Sequence, residues 1–385
     1  MHCIGIIAEY NPFHNGHARQ IRLAKEAAGG AFVVAAMSPH FMQRGEPALL
    51  DKWTRTRMAL AGGADLVLEL PTAGAISSSE GFAETGVRLL ASSGVVTHLS
   101  FGSETTDLTL LQKAAETALT EPPAFKKALE ENLSQGMGFA AARSLALAEA
   151  ADISEVLLHK PNTILAIEYL KALHRLDADM IPLPILRETS YHDSLHPEAP
   201  SASKLRDLIR TKADVSLYMP NEVIHILRRS PMSDPFDTWG PLLYDRLLHH
   251  TPTSLAGIRD VSEGLENRIL QAIDRPMPIS EAVERISTKR YPKARIRRIL
   301  LNILLEMDAH LPCTPQYIRV LGFRRQAESL LSEMIQKSSL PVITNPAKAQ
   351  DLLLPEAFYT DLYLAHVAGT EKTRGREWTE PLIKY

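Results

Sequence analysis

Cysteine is scarce in this sequence: Cys3 and Cys313 are the only two in 385 residues. Two thiols build neither a disulfide framework nor a cysteine-rich zinc site, and a reducing cytoplasm is the expected setting. Long apolar runs are missing too. The first clean one, Cys3–Ala8, falls far short of the roughly 20 residues that span a bilayer. No basic stretch precedes it, so neither a membrane anchor nor a signal peptide is expected. Charge of one sign is also lacking. With 42 basic and 45 acidic residues the net charge is -3, which does not advertise a polyanion binder. The balance is uneven, however. Residues 1–215 hold 20 basic and 25 acidic side chains, and residues 216–385 hold 22 and 20. The second half is therefore the better place to look for a polyanion contact. At 45% apolar and 23% charged, the composition is that of a globular chain and excludes disorder as its main character. The length predicts two or three domains.

What is present first is alternation. Cys3–Ala8, Phe32–Met37, Asp65–Leu70 and Val96–Phe101 are short aliphatic runs that read as buried strands. Helical stretches such as His17–Ala28 and Asp51–Ala61 separate them. A fifth run, Ile181–Leu186, comes late, after helical segments from about 107 to 176. This predicts an α/β fold, a Rossmann-like open parallel sheet with helices on both faces and a helical insertion before its last strand. From Met219 onward no strand is expected. Ile296, Ile299, Leu300, Ile303 and Leu304 recur at helical spacing, and prolines punctuate the region. A C-terminal all-helical domain, residues 216–385, is therefore predicted to follow a catalytic domain of residues 1–215.

The strongest local signal is the run from Ile7 to Gln20. A strand ends near Ala8, a turn holds Asn11 and Pro12, and a helix opens near Gly16. Ligands of open parallel sheets bind at the carboxyl ends of strands, and a helix N-terminus there offers free N–H groups to phosphate. His14 and His17 lie three apart, so both can face one ligand, and Gly16 leaves the backbone uncovered. Imidazole donors at that place would stabilise charge developing as pyrophosphate leaves. The plain alternative is a surface turn with two incidental histidines, or half a metal site.

His14-Asn-Gly-His17 resembles the H-x-G-H signature of the nucleotidyltransferase superfamily, which includes class I aminoacyl-tRNA synthetases. Ser201-Ala-Ser-Lys-Leu-Arg206 resembles that superfamily's second, Ser-rich element, with Ala202 and Lys204 as departures. A helix cap at Ser201 or Ser203 with a solvated basic face explains the same segment. The likeness is closer to one family. Gly5–His17, Gln43-Arg-Gly-Glu-Pro47, Lys52-Trp-Thr-Arg55, Ala64–Pro71 and Ser100–Glu104 are similar to the bacterial tRNA(Met) cytidine acetate ligases. So are Lys160–Leu165, Pro184–Arg187, Tyr191-His-Asp193, Ile296–Leu301 and Tyr317–Gly322. The resemblance spans essentially the whole chain.

It implies an ATP-dependent ligase that activates acetate as acetyl-adenylate and forms N4-acetylcytidine at the wobble position of elongator tRNA(Met). By matched position the implied ATP-binding set is Ile7, Ala8, Glu9, Tyr10, Asn11, Pro12, Phe13, His14, Asn15, Gly16, His17, Ala18, Arg19, Gln20, Gly102, Asn162 and Arg187. Asn162 also fits a plain helix cap, since it follows Pro161. His14, His17, Lys52, Ser201, Ser203 and Arg206 are the expected catalytic residues. Arg44 and Arg55 come second: the charged stretch after the second strand either closes over substrate and supplies charge to phosphate, or is an exposed loop followed by a helix that Asp51 caps. Mg²⁺ is expected to travel with ATP, with no dedicated protein metal site. Lys289, Arg290, Lys293, Arg295, Arg297 and Arg298 form a run of six cations in ten residues with no acid. They either make a solvated face or meet the tRNA backbone, away from the ATP loop. Two other readings stand: a small-molecule nucleotidyltransferase acting on a phosphorylated acceptor, and a non-catalytic RNA-binding protein. The oligomeric state is open, a homo-oligomer included.

Overall fold

The computed structural model describes residues 2–187, 201–262, 264–370 and 372–385. The run Tyr191–Asp193 lies outside the described residues. Among the described residues ten strands form, in chain order: β1 (Cys3–Ala8), β2 (Phe32–Met37), β3 (Phe41–Met42), β4 (Glu46–Pro47), β5 (Leu66–Glu69), β6 (His98–Ser103), β7 (Ile181–Leu186), β8 (Ile318–Phe323), β9 (Val342–Ile343) and β10 (Ile383–Lys384). The main sheet runs β10-β8-β5-β2-β1-β6-β7, with β9 beside β8. Strands β3 and β4 make a separate small hairpin.

The five predicted strands are parallel and adjacent, as β5-β2-β1-β6-β7. Their residues alternate between two cores, because successive side chains of a strand point to opposite faces. Val33, Ala35 and Met37 of β2 join one cluster, while Val34 and Ala36 join the other. Helices Asn15–Ala27 and Lys52–Ala61 cover the first face. Ser79–Ser92 and the insertion helices between β6 and β7 cover the second. After β1 the chain extends the sheet toward β2 and β5, then returns to add β6 on the other side of β1. The carboxyl ends of β1 and β6 therefore flank the crevice where such sheets bind ligands.

The expected all-helical tail is corrected by β8. Ile318–Phe323 is fully buried and pairs antiparallel with β5, and β9 and β10 run parallel to it. The rest of the tail is helical and contributes Ile296, Ile299, Leu300, Ile303 and Leu304, among others, to the same core as helix Lys52–Ala61. Strand β8 also carries a charge into the interior. Arg319 faces Glu377, which accepts a 2.6 Å bond from Lys52, and Lys52 donates at 2.5 Å to Glu69 at the end of β5. Lys52, Glu69, Arg319 and Glu377 are each at most 3% exposed.

Removing one partner of such a group leaves uncompensated buried charge, at a cost of about 3–5 kcal/mol. We predict that Lys52→Met lowers unfolding stability by that order, read from the denaturant midpoint. An unchanged midpoint would show the network to be dispensable.

Candidate active site at the carboxyl ends of β1 and β6

Beyond Ala8 the chain turns sharply. Tyr10 takes a left-handed conformation (φ 46°), and the Asn11–Pro12 peptide is cis. Phe13 is fully buried and lies so close to Gly62 that a Cβ there would come within 2.2 Å of its ring. Asn11 Oδ1 accepts from the Leu49 N–H at 2.8 Å. The loop is thus anchored at two points before helix Asn15–Ala27 begins.

His14 caps that helix. Its Nδ1 accepts from the Gly16 N–H at 3.0 Å, and His17 Nδ1 accepts from the His14 N–H at 3.2 Å. The two rings stack with centroids 3.7 Å apart. With both Nδ1 atoms accepting, each neutral imidazole carries its proton on Nε2. Among the described residues, His14 Nε2 is buried without a partner. Burial, and the charge of nearby Arg187, pull the His14 pKa down to about 3. Burial, His14 and Arg187 hold His17 well below its ordinary value. The pair is a set of neutral donors at a helix N-terminus, where free N–H groups and the dipole favour an anion. Gly16 has a specific role here. A Cβ would sit 2.8 Å from His14 Cε1 and 3.0 Å from Nδ1, so glycine lets the ring reach the backbone.

Across the crevice, Arg187 follows β7 and donates from Nη1 to Asn162 Oδ1 at 2.8 Å. Asn162 Nδ2 donates to Glu104 at 2.7 Å. Glu104 also accepts from the Thr163 N–H and hydroxyl at 2.7 and 2.8 Å. The cap of helix Pro161–Arg175 therefore comes from Glu104, not from Asn162, which instead links that carboxylate to the guanidinium. Gly102 faces Arg187, whose Cδ would be 3.4 Å from an added Cβ. Gln20, from the first helix, donates to the Ser100 carbonyl of β6 at 3.5 Å.

Ser201 caps helix Ala202–Arg210, accepting from the Lys204 N–H at 3.3 Å, and Ser203 is exposed. Arg206 of that helix donates to the Asn11 carbonyl at 3.1 Å and pairs with Glu46 at 2.6 Å. The two sequence elements, separated by almost 200 residues, are thereby joined. Asn15 adds a second tie, donating to the Leu217 carbonyl at 3.0 Å. Lys52 is engaged elsewhere, by carboxylates of β5 and the C-terminal segment. Arg55 is fully buried and donates to the carbonyls of Glu9, Ser38 and Leu50 at 2.8–3.0 Å.

The basic run opens helix Lys293–Leu304. Lys289, Arg290 and Lys293 are exposed, and Lys293 pairs with Glu284. Arg295 donates to Ser262 at 3.0 Å and lies 5.6 Å over the Tyr291 ring. Arg297 and Arg298 are half-buried. They are not remote from the loop that follows β1. Gly45, in the turn between β3 and β4, packs on their backbone, where a Cβ would fall 2.5 Å from Arg298 N. Sequence reading missed this hairpin contact and the roles of Glu46 and Glu104. Both carboxylates lie within motif runs, but their partners are distant in sequence.

A family model described as HIGH Nucleotidyl Transferase matches residues 1–377. The tRNA(Met) cytidine acetate ligase of Thermoanaerobacter sp. (strain X514) is 40% identical over the full length of both chains. That of Acetivibrio thermocellus is 38% identical, again over both full lengths. The crystal structure of Thermotoga maritima TmcAL bound with alpha-thio ATP superposes with a TM-score of 0.90 at 30% identity, covering 100% of this chain and 99% of that one. The apo form of the same protein gives 0.91 at 31%, with the same coverage.

The depressed histidines make a prediction about stability. An unfolded histidine titrates near 6.5 and His14 near 3, so between those values the unfolded state binds more protons. Stability should therefore hold above about pH 6.5 and fall as the pH drops toward 3. Denaturant midpoints across that range should show His14→Gln losing less stability than the wild type on acidification.

Proposed function

From its membership of the tRNA(Met) cytidine acetate ligase family of HIGH nucleotidyl transferases, to which this chain belongs, we propose that it activates acetate with ATP and acetylates N4 of the wobble cytidine of elongator tRNA(Met). The observation that carries this is the neutral histidine pair, with Nε2 donors at a helix N-terminus beside the sheet's switch point.

In the first half-reaction an acetate oxygen attacks the α-phosphorus of ATP. An oxygen–phosphorus bond forms, the bond to the β-phosphate bridge breaks, and pyrophosphate leaves. His14 and His17 would donate from Nε2 to the phosphate oxygens as charge develops, and being neutral already they need no proton change to do so. Arg187, oriented by Asn162 and Glu104, would offer a planar cation to phosphate or carboxylate. Ser201 and Ser203 open the second helix, which Arg206 holds against the loop, in keeping with the expected role of that element at the phosphates. Mg²⁺ would come with the ATP phosphates. Among the described residues no three His, Cys, Asp or Glu side chains group into a metal cage.

In the second half-reaction the cytidine N4 attacks the acetyl carbonyl. A carbon–nitrogen bond forms, the carbon–oxygen bond to AMP breaks, and N4 loses a proton. No covalent enzyme intermediate is required. The tail's basic run would bind the tRNA backbone. A cytoplasmic setting agrees with two free thiols, and among the described residues no helix is long and apolar enough to cross a membrane.

Acetate-dependent exchange of pyrophosphate into ATP, without tRNA, tests the first half. We expect His14→Ala and His17→Ala each to slow it by about 10²–10³, the usual cost of one preorganised donor. Near-normal exchange in both folded variants would sink the assignment. The RNA role is tested by a Lys289→Ala/Arg290→Ala/Lys293→Ala variant. It should bind tRNA more weakly while exchange persists, and each lost phosphate contact should flatten the log–log salt slope by roughly 0.7–0.9. Undiminished affinity would make that face merely solvated.

A further inference from the structure

The hairpin β3–β4 is tied on three sides. At one end the Gln43 N–H donates to Glu9 Oε1 at 2.7 Å, next to the ATP loop. At the other end Glu46 pairs with Arg206, which itself holds the Asn11 carbonyl. Between them Gly45, at φ 77°, presses its bare α-carbon onto the backbone of Arg297 and Arg298. A side chain at that point would clash with peptide atoms, which cannot swing away. The hairpin is thus a rigid bridge from the ATP loop to the basic helix.

Its turn exposes one more cation. Arg44 is exposed, and among the described residues no hydrogen bond or ion pair engages its guanidinium. Its chain neighbour Gln43 donates to Glu9, so Arg44 stands at the loop's margin rather than out on the tail. The peptide next to it packs on the helix that carries the basic run. Arg44 therefore lies between the hairpin's contact with Glu9 and its contact with the basic helix. A phosphate of either ATP or the RNA backbone has the right chemistry for it. Two features favour RNA. Arg44 is solvent-facing, whereas His14 in the loop is buried. Its neighbour Gly45 also packs on the backbone of the helix that the basic run opens.

We propose that Arg44 contacts a tRNA backbone phosphate close to the reacting cytidine, and that the hairpin sets the distance between the tRNA bound on the tail and the acetyl-adenylate in the crevice. This rests on the function proposed above and adds to it a residue specific to the RNA-dependent half-reaction.

The test uses full-length Arg44→Ala and Arg44→Lys proteins, elongator tRNA(Met) and two assays. Acetate-dependent exchange without tRNA should stay within about twofold of wild type for both. Acetylation at sub-saturating tRNA should fall at least tenfold for Arg44→Ala and recover in part for Arg44→Lys. The salt slope of tRNA binding to Arg44→Ala should flatten by roughly 0.7–0.9, the signature of one phosphate contact. Unchanged acetylation and slope would overturn the proposal. So would an equal loss of exchange, which would assign Arg44 to the phosphates of ATP. The binding arm does not depend on acetate. If the wild type binds tRNA but shows no acetate-dependent exchange, the functional reading fails while the slope still judges Arg44.

Discussion

One buried guanidinium organises the crevice. Arg55 sits in helix Lys52–Ala61 with no exposure and gathers the carbonyls of Glu9, Ser38 and Leu50. Those three belong to the chain just past β1, just past β2, and just before the helix itself. Carbonyls leaving a parallel sheet at adjacent strand ends have lost their ladder partners, and leaving them buried and unpaired is costly. Arg55 supplies the donors. Burial lowers its pKa to about 10, still far above neutrality, so it remains a cation. The sharp turn through Tyr10, Asn11 and Pro12 starts from this fixed point, and the positions of His14 and His17 follow from it.

The histidines show how much of the site was legible locally. A strand, a turn and two histidines three apart lie within a dozen residues, so their meeting at a helix start follows from periodicity and helix geometry. Their electronic state is subtler. Each Nδ1 is occupied by a backbone N–H, which fixes both tautomers and leaves the proton of each ring on Nε2. That arrangement exists only in the folded chain, and it also gives Gly16 its reason. The glycine accommodates the His14 ring rather than the ligand alone.

The less legible parts share one property, a large separation in sequence. Glu104 caps a helix that begins 57 residues later, in Pro161–Arg175, and no local pattern marks a carboxylate for that task. Strand β8 escaped notice for a related reason. Ile318–Phe323 contains Arg319 and Gly322, so it lacks the unbroken apolar character of the other strands, although every residue in it is buried. Arg319 is tolerated there because Glu377, drawn in by Lys52, places a negative charge opposite it. A strand whose interior charge is compensated from three other segments looks like a loop when read alone.

The same buried charges explain why the tail cannot be treated as an appendage. Glu377 lies near the chain's end, Lys52 in the second helix of the sheet's first half, and Glu69 at the end of β5. Separating the tail would expose these charges to one another unpaired, so the helical region is held in a defined relation to the crevice. On the exposed side Gly45 imposes a like constraint, through close backbone contact rather than charge. The proposed reaction, in two halves, would need such geometry. Its first half would require only the enclosed donors around ATP, while its second would require a macromolecule to arrive at a set distance from the adenylate. Overall charge gives no hint of this division, because a net -3 averages over an acidic first half and a mildly basic second half. In the proposed reaction, what would serve the RNA is the local placement of a few cations on elements whose spacing from the loop is fixed by the core.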